Sequence, residues 1–265
     1  MHNFEYHLAK DVADAAGRLQ GSDDGKLMAG GMTLLPTLKQ RLAAPSDVID
    51  LGAIEGLRGI SRDGSTLTIG AMTCHADVAA SDVVRQAIPA LAVLAGGIGD
   101  PAVRHRGTIG GSTANADPAA DYPGGITGLG ATIVTNKREI AGDAFFLGLF
   151  ETALEDGEIV TSVRFPIPKK AHYQKFRHTA SGYAVVGVMV AQTADGVRVG
   201  VTGAGPNAFR ASDFEAALNK EFSVAAVENV KQSPEGLLSD IHFSAEYRAH
   251  IVGVFVRRAV AAMAG

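Results

Sequence analysis

The 265-residue chain balances 24 Lys+Arg against 28 Asp+Glu, a net charge of −4, which argues against the basic face or tail of a dedicated nucleic-acid binder. Its 46% hydrophobic and 20% charged residues describe a folded chain of one to three domains and exclude a disordered one. One cysteine, Cys74, makes no internal disulfide and cannot alone hold an iron–sulfur cluster or a cysteine-rich zinc site, so any such centre sits on another chain.

No uncharged stretch reaches the roughly 20 apolar residues that a membrane span needs. Residues 1–17 lack the apolar run of a secretory signal, so the expected compartment is the cytoplasm or the inner face of the cell membrane. In chain order, residues 4–8 read as a strand and 10–19 as a helix with Val12, Ala15, Ala16 and Leu19 on one face. Residues 26–29 read as a buried strand, 33–42 as a helix and 48–51 as a strand. That order predicts a small α/β unit with some parallel pairing over residues 1–54.

Residues 57–60 and 67–70 flank Arg62-Asp63-Gly64-Ser65, the turn chemistry of a hairpin. Ser81 is placed to cap a helix over 82–95 that Pro89 kinks or divides. Residues 96–130 show no regular element, yet hold 10 of the 32 glycines, so an ordered binding loop is expected there. Strands at 131–135 and 159–165 close this second region, residues 55–165, and Pro166-Ile167-Pro168-Lys169-Lys170 reads as a linker. Beyond it, strands at 173–177, 184–192 and 197–202 precede helices at 209–218, 224–231 and 245–264. Residues 170–265 are therefore expected to form an α+β domain.

Two glycine pairs share one physical theme. Ala29-Gly30-Gly31-Met32-Thr33 joins a strand to a helix, where bare backbone and a helix N-terminus favour an anion such as phosphate. Gly107-Thr108-Ile109-Gly110-Gly111-Ser112-Thr113 again offers bare backbone, now with hydroxyls, and Asp117 and Asp121 follow as acceptors for ribose or ribityl hydroxyls. Two such clamps with carboxylates suit a dinucleotide. Gly203-Ala204-Gly205-Pro206-Asn207-Ala208 fits G-x-G-x-x-A, but no acidic residue follows at the Rossmann spacing, so a turn capping a helix is the better reading. Arg104-His105-Arg106 faces phosphate, a partner or solvent. The eight histidines show no metal-ligand spacing, and Cys74 reads as a small core residue.

At these residues the chain resembles the FAD-binding medium subunits of molybdenum hydroxylases. The resemblance rests on Ala29-Gly30-Gly31-Met32-Thr33-Leu34-Leu35-Pro36, on residues 103–112 and on Ala116-Asp117-Pro118-Ala119-Ala120-Asp121-Tyr122-Pro123. It continues through Asp156-Gly157-Glu158-Ile159-Val160, Ser181-Gly182-Tyr183-Ala184, Thr202-Gly203-Ala204-Gly205-Pro206 and Ala245-Glu246-Tyr247-Arg248. The nearest branch looks like the medium subunits of aerobic carbon monoxide dehydrogenase and of nicotine, quinoline or caffeine dehydrogenases, with xanthine dehydrogenase carrying a similar domain.

The resemblance implies an α+β chain: a two-subdomain FAD-binding fold of the vanillyl-alcohol-oxidase (PCMH) type, then a small C-terminal α+β domain. It implies pyrophosphate contacts from Ala29, Gly30, Gly31, Met32 and Thr33 and from Thr108, Ile109, Gly110, Gly111 and Ser112. It further implies ribityl or flavin contacts from Asp121, Val160 and Lys175, with Tyr183 covering the flavin. A surface lysine is the rival reading of Lys175. No metal binds this chain. A large molybdenum-cofactor subunit and a small subunit with 2Fe–2S clusters are the implied partners, in a dimer of heterotrimers, with electrons passing through FAD to an external acceptor.

This chain departs from the pattern at Met32-Thr33, where His-Ser is more usual, at Asn115, which replaces a His, and at Ile98, which replaces an aromatic of the xanthine branch. The changes at Met32-Thr33 and Asn115 favour an organic substrate, and the expected substrate is an aza-aromatic compound or carbon monoxide. The rival readings are a self-contained flavin oxidoreductase and a non-catalytic assembly subunit.

Overall fold

The computed structural model describes residues 1–264. Strands β1 (Glu5–Leu8), β2 (Gly25–Met28) and β3 (Asp47–Asp50) form a parallel sheet in the order β1-β3-β2. Helices α1 (Val12–Gly21) and α2 (Leu34–Lys39) make its crossovers. Asp11 starts α1 by accepting the Asp14 N–H, the N-cap that its short acidic side chain favours. Ala15 of α1 and Ile49 of β3 are buried with Leu57, Met72 and Ile159, so this core already joins the first region to the second.

The second region is an antiparallel sheet ordered β4-β5-β10-β6-β7: β4 (Ile60–Asp63), β5 (Thr66–Gly70), β6 (Thr132–Thr135), β7 (Glu139–Ala141) and β10 (Val160–Pro166). The Asp-Gly hairpin between β4 and β5 forms as its turn chemistry predicts. A small hairpin of β8 (Phe146–Gly148) and β9 (Glu151–Thr152) was not legible in the sequence. Between β5 and β6 run six helices: α3 (His75–Ala80), α4 (Asp82–Ala87), α5 (Pro89–Gly96), α6 (Pro101–Arg106), α7 (Ile109–Asn115) and α8 (Asp121–Leu129). Ser81 caps α4 as expected, accepting the Val84 N–H at 3.3 Å, and Pro89 divides the predicted helix into α4 and α5.

The expectation of an irregular loop over 96–130 is corrected: that stretch is mostly helical. Asp100 and Thr108 cap α6 and α7 through the Val103 and Gly111 N–H groups, at 2.8 and 3.1 Å. Glycine weakens an isolated helix by about 1 kcal/mol, which is why the composition hid α8. Here the glycines set a contact distance. A Cβ on Gly128 would lie 2.7 Å from the Met189 Cβ, so α8 can lie flat on the next sheet only because that Cβ is missing.

That next sheet is antiparallel, ordered β11-β12-β13-β14: β11 (Lys170–Arg177), β12 (Ala184–Thr193), β13 (Gly196–Thr202) and β14 (Phe209–Arg210). Helices α9 (Ser212–Lys220) and α10 (Ala245–Ala264) cover one face. The helix predicted at 209–218 begins only at Ser212, because Phe209–Arg210 pairs with β13. The helix predicted at 224–231 is a single turn of 3-10 helix, Ala225–Val227. β12 is apolar on both faces. Val186, Val188 and Val190 pack with α9 and α10, and Met189 and Ala191 pack with Leu91 of α5 and Ile126 of α8. The predicted linker is tied down at both ends: Ile167 donates its N–H to Ser65 O and Lys169 its N–H to Gln192 O.

Candidate functional site

A cleft of about 710 Å³ opens where the first region, α7, the start of β10 and the loop after β11 meet. Its volume lies within the usual range of small-molecule sites. Of the residues singled out from sequence, Ala29, Gly30, Gly31, Met32, Thr33, Thr108, Gly110, Gly111, Ser112, Asp117, Asp121, Val160 and Tyr183 line it. Ile109 does not: it is wholly buried in the core. Lys175 also stands off the cleft wall, behind Asp121.

The two glycine segments touch each other. A Cβ on Gly30 would sit 1.9 Å from the Arg106 carbonyl oxygen, so the bare Cα of Gly30 faces the protein's own backbone and not a ligand. Gly31, at φ +72°, takes the left-handed conformation that turns the chain out of β2 toward α2. Among the described residues, the N–H groups of Gly30, Gly31, Met32 and Thr33 have no protein acceptor. Successive free amides around a left-handed residue form an anion-binding concavity.

The second segment differs. Ile109 N–H donates to Thr73 O, Gly110 N–H to Ala71 O at 2.8 Å, and Gly111 N–H to the Thr108 hydroxyl. A Cβ on Gly110 would lie 2.5 Å from that of Ala71. This loop is therefore a fitted wall whose Ile109, Gly110 and Gly111 amides are already used, while the first turn keeps its donors free.

The far end of the cleft is anionic. The Asp121 carboxylate is buried, accepting the Tyr173 hydroxyl proton on Oδ1 at 2.6 Å and Lys175 Nζ on Oδ2 at 2.8 Å. Burial pushes the Asp121 carboxyl up from the ordinary range, with Lys175 and Tyr173 pulling the other way. Burial also raises Asp117, against the Ala119 N–H that it accepts. Tyr183, 43% exposed, hangs over this end on the loop after β11, and burial and both aspartates raise its phenol.

Lys175 is no surface lysine: its side chain is 9% exposed and it also donates to Gly97 O at 3.0 Å. Sequence reasoning missed His75, a buried residue of the cleft wall that burial and then Arg104 push down to about 4, so it is neutral near pH 7. It also did not single out Ser181 and Gly182 as cleft residues, though both lie in a quoted motif.

The remaining motifs are structural here. Gly203, at φ +81°, donates its N–H to Pro118 O, and its carbonyl accepts from the buried Arg248, so the G-x-G-x-x-A stretch packs against protein. Arg104 folds back on Ile98 O at 2.9 Å, and neither His105 nor Arg106 lines the cleft. No helix among the described residues is long and apolar enough to cross a membrane.

Free amides suit a phosphate, and buried carboxylates suit hydroxyl donors. This pairing fits a dinucleotide laid along the cleft. Residues 2–168 match the family described as the FAD binding domain in molybdopterin dehydrogenase, and residues 171–263 match the CO dehydrogenase flavoprotein C-terminal domain. The chain belongs to this family: it is an FAD-binding oxidoreductase component, the medium subunit type of molybdenum-hydroxylase dehydrogenases.

It is 35% identical to the carbon monoxide dehydrogenase medium chain of Hydrogenophaga pseudoflava, over 97% of this chain and 96% of that one. It is also 35% identical to the nicotine 6-hydroxylase medium subunit of Paenarthrobacter nicotinovorans, over 96% and 95%. Among solved structures it superposes on carbon monoxide dehydrogenase of H. pseudoflava with a TM-score of 0.88 at 36% identity, covering 98% and 97%. Quinoline 2-oxidoreductase of Pseudomonas putida 86 matches with a TM-score of 0.88 at 28% identity, covering 99% and 97%. The expected fold class, a two-part FAD-binding fold followed by a small α+β domain, accords with these matches.

Proposed function

We propose that this chain holds FAD along the cleft and serves as the electron-exit subunit of a molybdenum hydroxylase. The pyrophosphate lies on the free amides of Gly30 to Thr33, against the wall built by Thr108, Gly110, Gly111 and Ser112. Asp117, Asp121 and Val160 face the ribityl chain and the flavin, and Tyr183 covers the ring. Lys175 acts through Asp121. Ile109 holds its loop in place from the core.

When bound, FAD supplies the redox chemistry; the chain supplies orientation and electrostatics. The single cysteine places the iron–sulfur clusters elsewhere. The partners are a large molybdenum-cofactor subunit and a small subunit with 2Fe–2S clusters, as a dimer of heterotrimers in the cytoplasm. Electrons leave those clusters for an external acceptor by way of this subunit. The substrate, bound on the large subunit, is an aza-aromatic compound or carbon monoxide.

The observation that carries the reading is the row of free amides at one end of a cleft whose other end is a buried, partnered carboxylate. The test is a visible absorption spectrum of the purified complex and of the lone chain after adding FAD. Flavin bands, with FAD released on denaturation, are expected. No flavin in the intact complex overturns the reading.

Gly111→Val sharpens the test. A Cβ there meets the Thr108 hydroxyl at 3.0 Å and Ala29 at 3.5 Å, contacts a fold can absorb, so the added methyls crowd the cleft between the two segments. An overpacking cost of about 1–3 kcal/mol converts to a loss of FAD affinity of roughly fivefold to 150-fold. Full flavin retention in this variant counts against the assignment.

A further inference from the structure

Tyr173 lies outside every glycine motif and does not line the cleft, yet it is the shortest contact of the cleft's buried carboxylate. Its ring is buried, and its hydroxyl points from β11 at Asp121 Oδ1, 2.6 Å away. The space for that hydroxyl is provided by a glycine. Gly187 lies on β12 opposite Lys175, and a Cβ there would come within 2.4 Å of the Tyr173 oxygen. Two residues along the same face of β11, Lys175 takes Oδ2 of the same carboxylate. Burial and the neighbouring carboxylate raise the phenol well above its ordinary value, so the tyrosine stays protonated and always donates.

We infer that Tyr173 is a positioning residue for FAD: its hydroxyl keeps Asp121 ionised and fixes which carboxylate lone pairs face the cleft. The inference rests on the proposed FAD site.

A hydrogen bond to the charged form of an acid favours that form. Other groups bearing on Asp121 are Lys175 and Arg177 of β11, Asp117 and Tyr183 on the cleft wall, and Tyr122 beside it on α8. Lys175 and Arg177 hold the carboxylate charged, but among the described residues only Tyr173 donates to Oδ1. With the hydroxyl removed, Lys175 still pairs Oδ2, and Oδ1 is left dry and without a donor. The carboxyl then takes up a proton at higher pH, and an acceptor facing the ligand becomes a donor.

The test uses the full chain in three forms: wild type, Tyr173→Phe and Asp121→Asn. The protonated-carboxyl infrared band is followed against pH, and the Asp121→Asn difference isolates Asp121. Its midpoint is expected about one pH unit higher in Tyr173→Phe, a tenfold change in ionisation. FAD affinity, read by flavin fluorescence, is expected to begin its acid-side fall about one pH unit higher in Tyr173→Phe and to match wild type at alkaline pH.

Gly187→Ala, which keeps the phenol but displaces its oxygen, is expected to move the midpoint in the same direction. A midpoint unmoved in both variants, with affinity falling equally at every pH, makes Tyr173 a packing residue and overturns the inference. A wild-type chain that takes up no FAD even in its complex overturns the cofactor assignment instead; the infrared midpoint needs no flavin and still decides the role of Tyr173.

Discussion

Glu158 shows how one carboxylate stitches distant segments together. It is buried, and accepts Thr135 Oγ1 at 2.7 Å, the Glu155 N–H at 2.8 Å and both Nε and Nη2 of Arg138 at 3.1 Å. Burial alone would raise this carboxyl; the Arg138, Glu155 and Thr135 donors outweigh it and hold it at about 2 instead of the ordinary 4.5. The folded value lies below the unfolded one, so the stabilisation is complete above pH 4.5 and is lost as pH falls toward 2. Glu158→Gln is expected to cost on the order of 3 kcal/mol at pH 7. It also flattens the acid limb of stability, and urea unfolding at stepped pH checks both effects.

The sequence located this glutamate within a motif but gave it no job, because two of its donors, Thr135 and Arg138, lie 20 or more residues upstream. The same limit governed Gly30. Its need for close approach was legible, but what it approaches, the Arg106 carbonyl, lies too far along the chain to be read locally.

At the scale of the element, α8 and β13 trade helix propensity for proximity. A Cβ on Gly200 would fall 2.3 Å from the Gly128 backbone nitrogen and 2.4 Å from the Gly124 carbonyl oxygen. Backbone cannot rotate away as a side chain can. Gly200→Ala is therefore expected to destabilise by about 3 kcal/mol, the upper range of overpacking. Gly17, inside α1, is the opposite case: a Cβ there meets nothing within 4 Å. Gly17→Ala is expected to stabilise by up to about 1 kcal/mol. Denaturant midpoints of the two variants should move in opposite directions, and a common sign would refute the packing argument.

This contrast also explains what the sequence could and could not reveal. Elements whose pattern is local, such as α1, the β4–β5 hairpin and the Ser81 cap, follow from spacing, turn and capping residues. Helices α7 and α8 do not, because their glycines answer to Ala71, Met189 and Gly200 rather than to the helix itself.

At the scale of the molecule, the C-terminal sheet is less an appendage than a wall of the same building. The order of strands and helices announced a small α/β unit with some parallel pairing and an α+β domain at the C-terminal side, and the linker composition suggested a boundary near Pro166. Composition could not show that β12 is buried on both faces, or that residues of β11 complete the cleft from behind. Helix α8 is buried along its whole length, with Met189 against its glycine face and Thr202 beside its start, where the Thr202 hydroxyl donates to Ala120 O at 2.6 Å. A fragment ending at residue 168 would bare this face of α8 and of α5, a contiguous apolar surface that soluble monomers rarely tolerate. It would also strip Asp121 of Tyr173 and Lys175, leaving a desolvated carboxylate without its donors. The fragment 1–168 is thus expected to aggregate or to unfold without a cooperative transition, and to take up no FAD, even though it spans the matched FAD-binding region. Circular dichroism melts and FAD titration of the fragment beside the full chain measure both. A soluble fragment that melts cooperatively with bound FAD would show that the third sheet merely accompanies the cofactor site.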